Sequence, residues 1–148
     1  MESSIEKKAE RVRKNTPKSQ NREVDAEIIS NLARYRRLSP EAIERRLKEL
    51  DTEWDIERTL ELNASALALT GSLLAIFVNK KWLALPLIVS SFLMQHAIQG
   101  WCPPLPLLRK IGVKTRPELD REKYALKALR GDFDNVKATR DAWEAVNR

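Results

Sequence analysis

The chain has 148 residues, about the length of one domain, and 32% of them are charged, with a formal net charge of +6. A single cysteine and a single histidine exclude an internal disulfide, a Cys-rich redox or zinc framework and a His-rich metal site, so we expect no metal and no cofactor. Basic residues are interspersed with acidic ones rather than clustered among aromatics, which argues against nucleic acid as a partner.

The predicted elements begin with residues 1–22, a polar segment with seven Lys or Arg and few apolar residues. We expect this N-terminus to be disordered, and its composition is not that of a cleavable secretory signal. Residues 23–61 are predicted to be helical, because apolar residues recur every three or four positions. Ser39 and Pro40 are typical of a helix start, and we expect the helix from Pro40 to continue into the apolar segment that follows or to bend before it.

Residues 62–108 form an apolar block of 47 residues with only two charges, Lys80 and Lys81. At about 1.5 Å rise per residue, a helix of the first uncharged run covers about 27 Å, close to the thickness of a bilayer core. We therefore predict an all-α protein with a two-helix transmembrane hairpin, spanning about 62–79 and 82–100. The alternative is a soluble helical bundle in which the charged flanks bury the hairpin.

The charges beside the apolar block predict its orientation. Eight basic residues lie close to its two ends, against two in the connecting turn. The eight are Arg45, Arg46, Lys48, Arg58, Arg109, Lys110, Lys114 and Arg116. By the positive-inside rule both termini are cytoplasmic, so residues 23–61 are cytoplasmic and juxtamembrane, and the turn faces the other side.

Two further sets of residues in and around the hairpin suit a membrane. Small residues that would let helices approach closely recur along the first span, at Ala64, Ala68, Gly71, Ser72 and Ala75. We expect the second span or a second protomer to pack there. Tryptophans suited to anchoring at the interfaces are Trp54, Trp82 and Trp101.

Polar residues near the end of the second span are the candidate site within the membrane. Gln95, His96 and Gln99 are expected either to form hydrogen bonds between helices or to line a pathway for protons or a quinone. Cys102 is the one candidate thiol, and its position after a helix end predicts a structural cysteine with a raised pKa. The sequence holds no phosphate loop and none of the common hydrolase motifs, so we expect no catalytic residues and no enzyme activity.

The prolines at 103, 104 and 106 are predicted to end the second span and to send the chain out as an extended hook. Residues 109–148 are expected to form two cytoplasmic helices, about 117–130 and 133–146. Each flank carries an apolar stripe at helical spacing, and helices this short are marginal alone in water. The stripes can pack on each other, lie on the membrane surface or bind a partner, and we expect them to pack on each other. The first stripe is Ile43, Leu47, Leu50 and Trp54, and the second is Leu126, Leu129 and Phe133.

The step Gly100-Trp101-Cys102-Pro103 after two short uncharged spans resembles the YgaP-like transmembrane domain family. The resemblance covers about residues 58–112. It implies a small bacterial inner-membrane hairpin of unknown function that self-associates, with Cys102 as the family-type cysteine. Some members are fused to a rhodanese domain, but residues 1–60 are too few for one, so sulfur-transfer activity does not carry over.

These observations predict a multi-pass protein of the bacterial inner membrane that acts as a non-enzymatic anchor or assembly module. Its expected partners are the lipid bilayer and either a second copy or another membrane protein. The alternative in another class is an accessory to sulfur or thiol redox chemistry in which Cys102 carries a persulfide or disulfide.

Overall fold

The computed structural model describes residues 10–147. These residues are helical and contain no strand, which confirms the predicted all-α class for this part of the chain. The helices are α1 Arg11–Lys14, α2 Lys18–Tyr35, α3 Pro40–Thr52, α4 Ile56–Phe77, α5 Ala84–Gln99, α6 Leu105–Lys110, α7 Arg116–Arg130 and α8 Thr139–Asn147, with a 3-10 turn at Lys80–Leu83.

The helices divide into two compact units. Residues 10–22 and 54–116 make the first, which we call the hairpin unit because α4, the 3-10 turn and α5 pack against one another in it. Residues 23–53 and 117–147 make the second, which we call the flank unit because it combines sequence from both sides of the apolar block.

A break separates α3 from α4, so the helix from Pro40 does not continue into the apolar block. The Asp55 side chain accepts a hydrogen bond from the backbone N–H of Arg58 at 2.7 Å and thereby caps a new helix. The α4 helix then runs 22 residues to Phe77. At the turn, the Asn79 side chain accepts from the Lys81 backbone N–H at 2.9 Å, which shapes the 3-10 segment before α5 begins.

Close packing of α4 on α5 depends on Gly71. A Cβ added at Gly71 would lie 2.7 Å from the Pro86 side chain and 3.0 Å from that of Leu85. Real Cβ contacts are longer than this, so only glycine allows the two helices their present separation. Pro86 lies in the first turn of α5, where its missing N–H costs no helical hydrogen bond.

The N-terminal segment differs from the prediction of disorder. Residues 1–9 lie outside the described part, but residues 11–14 and 18–22 are helical. Val12 is buried beside Ile56, and Asn15 donates a hydrogen bond at 2.8 Å to the Gln99 carbonyl at the end of α5. One buried apolar residue and such tertiary hydrogen bonds order this stretch, and composition alone does not reveal them.

The proline-rich exit also differs from the predicted extended hook. The second span does end where expected, because Gly100 follows α5 in the left-handed conformation at φ 77°. The chain then re-enters a helix at Leu105. Pro104 is the N-cap residue and Pro106 lies in the first turn, the two places where proline does not interrupt helical hydrogen bonding.

The base of the hairpin unit holds a small apolar core. Its buried members are Val12, Ile56, Leu60, Cys102 and Leu105. The buried guanidinium of Arg109 donates to the Asn21 side chain at 2.9 Å and to the Val113 carbonyl at 3.2 Å. The core joins α1, α4 and α6 at the end of the hairpin opposite the 3-10 turn, and the bond from Arg109 to Asn21 adds the first turn of α2.

The flank unit buries its apolar residues in a core and exposes most of its charged residues. Its buried core residues are Ile43, Leu47, Leu50, Leu119 and Leu126. The packing of Ile43, Leu47 and Leu50 with Leu126 confirms part of the predicted contact between the two flank stripes, whereas Trp54 and Leu129 of those stripes are exposed. Helix α7 matches the predicted 117–130, whereas the last helix begins at Thr139 rather than near 133.

A buried ion pair lies in the flank unit. Glu122 is fully buried, and its carboxylate accepts from Arg46 at 2.9 Å and from the Asn31 amide at 3.1 Å. Lys127 is also buried and donates to the Val146 carbonyl near the end of α8. Burial lowers the pKa of Lys127, because the charged ammonium loses its hydration.

Candidate functional site

The candidate site is a cavity of about 200 Å³ in the hairpin unit. It lies next to the apolar core, with which it shares Leu60 and Cys102. Eleven residues line it, drawn from α4, α5 and the proline-rich exit: Leu60, Asn63, Ala64, Leu67, Val89, Phe92, Leu93, His96, Cys102, Pro103 and Pro104. All but Asn63, His96 and Cys102 are apolar. The cavity therefore has a hydrophobic wall with few polar groups, which is the usual composition of a small-molecule site.

Helical spacing explains how two helices supply most of this lining. Leu60, Asn63, Ala64 and Leu67 follow one another at steps of three, one and three along α4. Val89, Phe92, Leu93 and His96 repeat the same steps along α5. Residues at such spacing share one face of a helix, so each helix contributes one face to the cavity.

His96 is the most distinctive group in the cavity. Only 5% of the residue is exposed, and neither ring nitrogen has a hydrogen-bond partner among residues 10–147. A neutral imidazole offers one N–H donor and one acceptor, and leaving both unmade in a buried place costs free energy. Both nitrogens are closed off from solvent and from the cavity, so His96 contributes the apolar surface of its ring to the wall.

Cys102 joins His96 in the same cavity but is poorly suited to thiolate chemistry. The residue is 3% exposed. Burial raises the pKa of the Cys102 thiol, and a weaker effect of the Leu105 backbone N–H opposes this. A raised pKa reduces the thiolate fraction at neutral pH, and the thiolate is the reactive form.

The other two polar residues of the predicted membrane site lie apart from this cavity. Gln95 and Gln99 do not line it, and Gln99 is exposed. Their side chains face each other one turn apart on α5, with the Gln95 Nε2 and Gln99 Oε1 atoms 3.5 Å apart. Of the predicted trio, the structure brings only His96 together with Cys102.

The predicted small residues lie on the more buried side of α4. Gly71 and Ala75 are buried, and Ala64, Ala68 and Ser72 are partly buried, whereas most of the large residues around them are exposed. Gly71 faces α5 through Leu85 and Pro86. The stripe therefore faces into the hairpin at Gly71, and Ala64 contributes to the cavity wall.

The three predicted tryptophan anchors occupy the ends of the hairpin. Trp54 precedes α4 and is half exposed, and the Arg58 guanidinium lies 4.5 Å from its ring centre, within the range of a cation–π contact. Trp82 lies in the 3-10 turn at the opposite end and is also exposed. Trp101 is partly buried against the apolar core.

Sequence reasoning missed Asn63 and the apolar lining, including Leu67 and Phe92. The repeated three-one-three spacing was a usable signal, but it identifies a shared cavity only when the register between α4 and α5 is known. In residues 10–147, no group of three or more His, Cys, Asp or Glu side chains is placed to hold a metal ion.

Among the described residues, two helical stretches are long and apolar enough, by length and composition, to cross a membrane; they end at Phe77 and at Gln99. Comparison with protein-family models, curated proteins and solved structures finds no match. The resemblance to the YgaP-like family accordingly stays a prediction from the sequence.

Proposed function

We propose that this chain is an integral membrane protein whose α4–α5 hairpin lies in the bilayer and whose charged helices form a non-enzymatic anchoring or assembly module outside it. The observation that carries this proposal is the outward direction of the apolar side chains in the hairpin. Ile76, Phe77, Leu87 and Ile98 are each at least 68% exposed. A contiguous apolar surface of this kind is unusual on a protein surrounded by water and is favourable in lipid.

The dimensions of the hairpin agree with this proposal. The charge-free part of α4, residues 62–77, and the 16 residues of α5 each extend about 24 Å, so each span approaches a bilayer core of about 30 Å when the uncharged residues next to it are included. The exposed Trp54 and Trp82 lie just beyond its two ends, where tryptophan is enriched at membrane interfaces. The two lysines in the turn, Lys80 and Lys81, are exposed and suit the aqueous side of that interface.

The proposal includes an orientation and a location. The asymmetry of eight flanking basic residues against two in the turn supports cytoplasmic termini. The YgaP-like resemblance supports the bacterial inner membrane and association with a second copy or another membrane protein. Exposed apolar residues on α8, among them Trp143, support a protein contact made by the module outside the membrane.

Fractionation tests the membrane assignment directly. Membranes from cells that express the full chain are washed with alkaline carbonate, which removes peripheral proteins. We expect the chain to stay in the pellet and to enter the soluble fraction only with detergent. Release by carbonate alone would overturn the proposal and favour a soluble bundle whose hairpins bury one another.

Cysteine labelling tests the orientation in intact cells. Lys80→Cys and Lys110→Cys are made separately in a Cys102→Ser background, because both positions are exposed and lie at opposite ends of the hairpin. An impermeant thiol reagent is expected to label the cysteine at 80 and to label the one at 110 only after lysis. The reverse pattern would overturn the orientation while leaving membrane insertion intact.

A further inference from the structure

The cavity between α4 and α5 is long and narrow. Its lining runs from Leu60 to Leu67 on α4 and from Val89 to His96 on α5. Seven residue steps along a helix cover about 10 Å. Spread over that length, the volume of about 200 Å³ leaves a cross-section of about 20 Å². The cavity is therefore a slot that runs parallel to the two helices.

The packing of the hairpin closes one end of the cavity and leaves one side open. Toward the 3-10 turn, α4 and α5 come into close contact where Gly71 meets the start of α5. At the base of the hairpin, the exposed Pro103 and Pro104 border the cavity. Along its length the wall includes Leu67 and Phe92, which are 48% and 39% exposed. A molecule can enter from the side on which the hairpin shows its apolar surface.

The polar residues of the wall offer little to a polar ligand. The Asn63 amide donates to the Thr59 carbonyl at 2.8 Å, and both ring nitrogens of His96 are closed off from the cavity. A polar group placed in the cavity would lose its hydration without gaining hydrogen bonds in return, and a water molecule would find too few partners. The wall therefore suits a hydrocarbon.

We propose that the cavity binds one acyl chain of a membrane phospholipid, with the chain lying along α4 and α5 and the headgroup at the base of the hairpin. Because carbon atoms in contact lie about 4 Å apart, a slot of this cross-section admits a single hydrocarbon chain. A helix of a second copy, about 10 Å wide with its side chains, is too broad to enter. The inference rests on the proposed function, in which phospholipid surrounds the hairpin.

Retention of lipid by the purified chain tests the site. The full chain is extracted from membranes, exchanged into detergent without added lipid and examined by native mass spectrometry. We expect a complex of one chain with one phospholipid. A free fatty acid in place of the phospholipid, or a dimer of the chain without lipid, would overturn the proposal.

Variants that fill the cavity provide matched comparisons. Ala64→Phe fills it from α4 and should lose the retained lipid, whereas Ala66→Phe adds the same ring at an exposed position outside the cavity and should keep it. Val89→Phe narrows the cavity from α5 and serves if Ala64→Phe does not fold, with the exposed Ile88→Phe as its control. Equal retention by a filling variant and its control would contradict the assigned site.

Photocrosslinking in vesicles avoids any loss of lipid to detergent. The chain is reconstituted in phospholipid whose acyl chains carry a diazirine. Leu93 in the cavity wall should be labelled, and Ala64→Phe should reduce this labelling severalfold while leaving that of Leu87, on the outer surface, unchanged. Undiminished labelling of Leu93 would overturn the site. Carbonate extraction of the same variants separates the two proposals: a chain that stays in the pellet without bound lipid refutes the site alone, whereas release by carbonate refutes the membrane assignment.

Discussion

The hairpin unit and the flank unit place their apolar side chains in opposite directions. In the flank unit, Leu50 and Leu126 are fully buried and most charged residues face outward. In the hairpin, Ile76 and Phe77 are among the most exposed side chains, and the buried positions near them are the small residues Gly71 and Ala75. The same chain therefore follows two rules of packing, which is what two different surroundings, water and lipid, would require.

A charge placed in the flank core should have the largest effect. Leu126→Asp puts an unpaired carboxylate at a fully buried position, and we expect it to destabilise the flank unit by about 4 kcal/mol or more. Leu129→Asp, at a position on the same helix that is 43% exposed, is the matched control. Limited proteolysis and denaturant titration measure the loss. Similar results for the two variants would contradict the described core.

The same substitution on the hairpin surface should distinguish lipid from water. Leu69 is 63% exposed in α4, so Leu69→Asp would be nearly harmless if water surrounded the hairpin. In lipid it should cost about 2.5–3.5 kcal/mol and lower the carbonate-resistant fraction. Leu129→Asp again serves as the control, because it is an exposed position outside the hairpin. An unchanged membrane fraction for Leu69→Asp would remove the contrast between the two units.

Loss of the buried ion pair should weaken the flank unit to a smaller degree. Glu122→Gln leaves Arg46 without the carboxylate 2.9 Å away, and we expect a loss of about 2 kcal/mol in the free energy of unfolding. Glu144→Gln removes an exposed pair with Arg140 and should cost less than about 0.5 kcal/mol. Denaturant titration of both variants gives the comparison. A cost for Glu144→Gln as large as that for Glu122→Gln would contradict the larger contribution expected of the buried pair.

Packing within the hairpin should be sensitive at one small residue. Gly71→Leu forces a side chain against Pro86, and we expect a loss of about 1–2 kcal/mol in hairpin stability. Ala66→Leu adds the same bulk at an exposed position of α4 and should be close to neutral. Thermal unfolding in detergent reports both. If Gly71→Leu is as stable as the parent, α4 and α5 do not pack as described.

The pH dependence of Cys102 labelling should show the smallest but most specific effect. Because burial raises the pKa of this thiol above the ordinary value of 9.0, its thiolate fraction at neutral pH is lower than that of an exposed cysteine. Alkylation should therefore be slow at pH 7 and should still be rising above pH 9. Ala138→Cys in a Cys102→Ser background provides an exposed reference in the flank unit. A plateau for Cys102 below pH 9 would instead indicate an activated thiol.

The sequence by itself determined the helical class and the approximate extent of the elements. The near-absence of charge over residues 62–108 predicted where α4 and α5 would lie, and the small-residue spacing identified Gly71 and Ala75, which the structure buries. The apolar stripes around Leu47 and Leu126 predicted their shared core. These features follow from local composition and helical periodicity, which can be read along one segment at a time.

Only the tertiary structure decided which separate segments meet. Asn63, His96 and Cys102 line one cavity because of the register between α4 and α5 and the turn of the chain at Gly100, and periodicity does not encode that register. Residues 10–22 are ordered by contacts with distant residues, as in the bond from Asn15 to the Gln99 carbonyl. Arg109, counted among the flanking charges, is buried against Asn21. Such contacts depend on long-range geometry, because each stabilising partner lies more than 80 positions away in the chain.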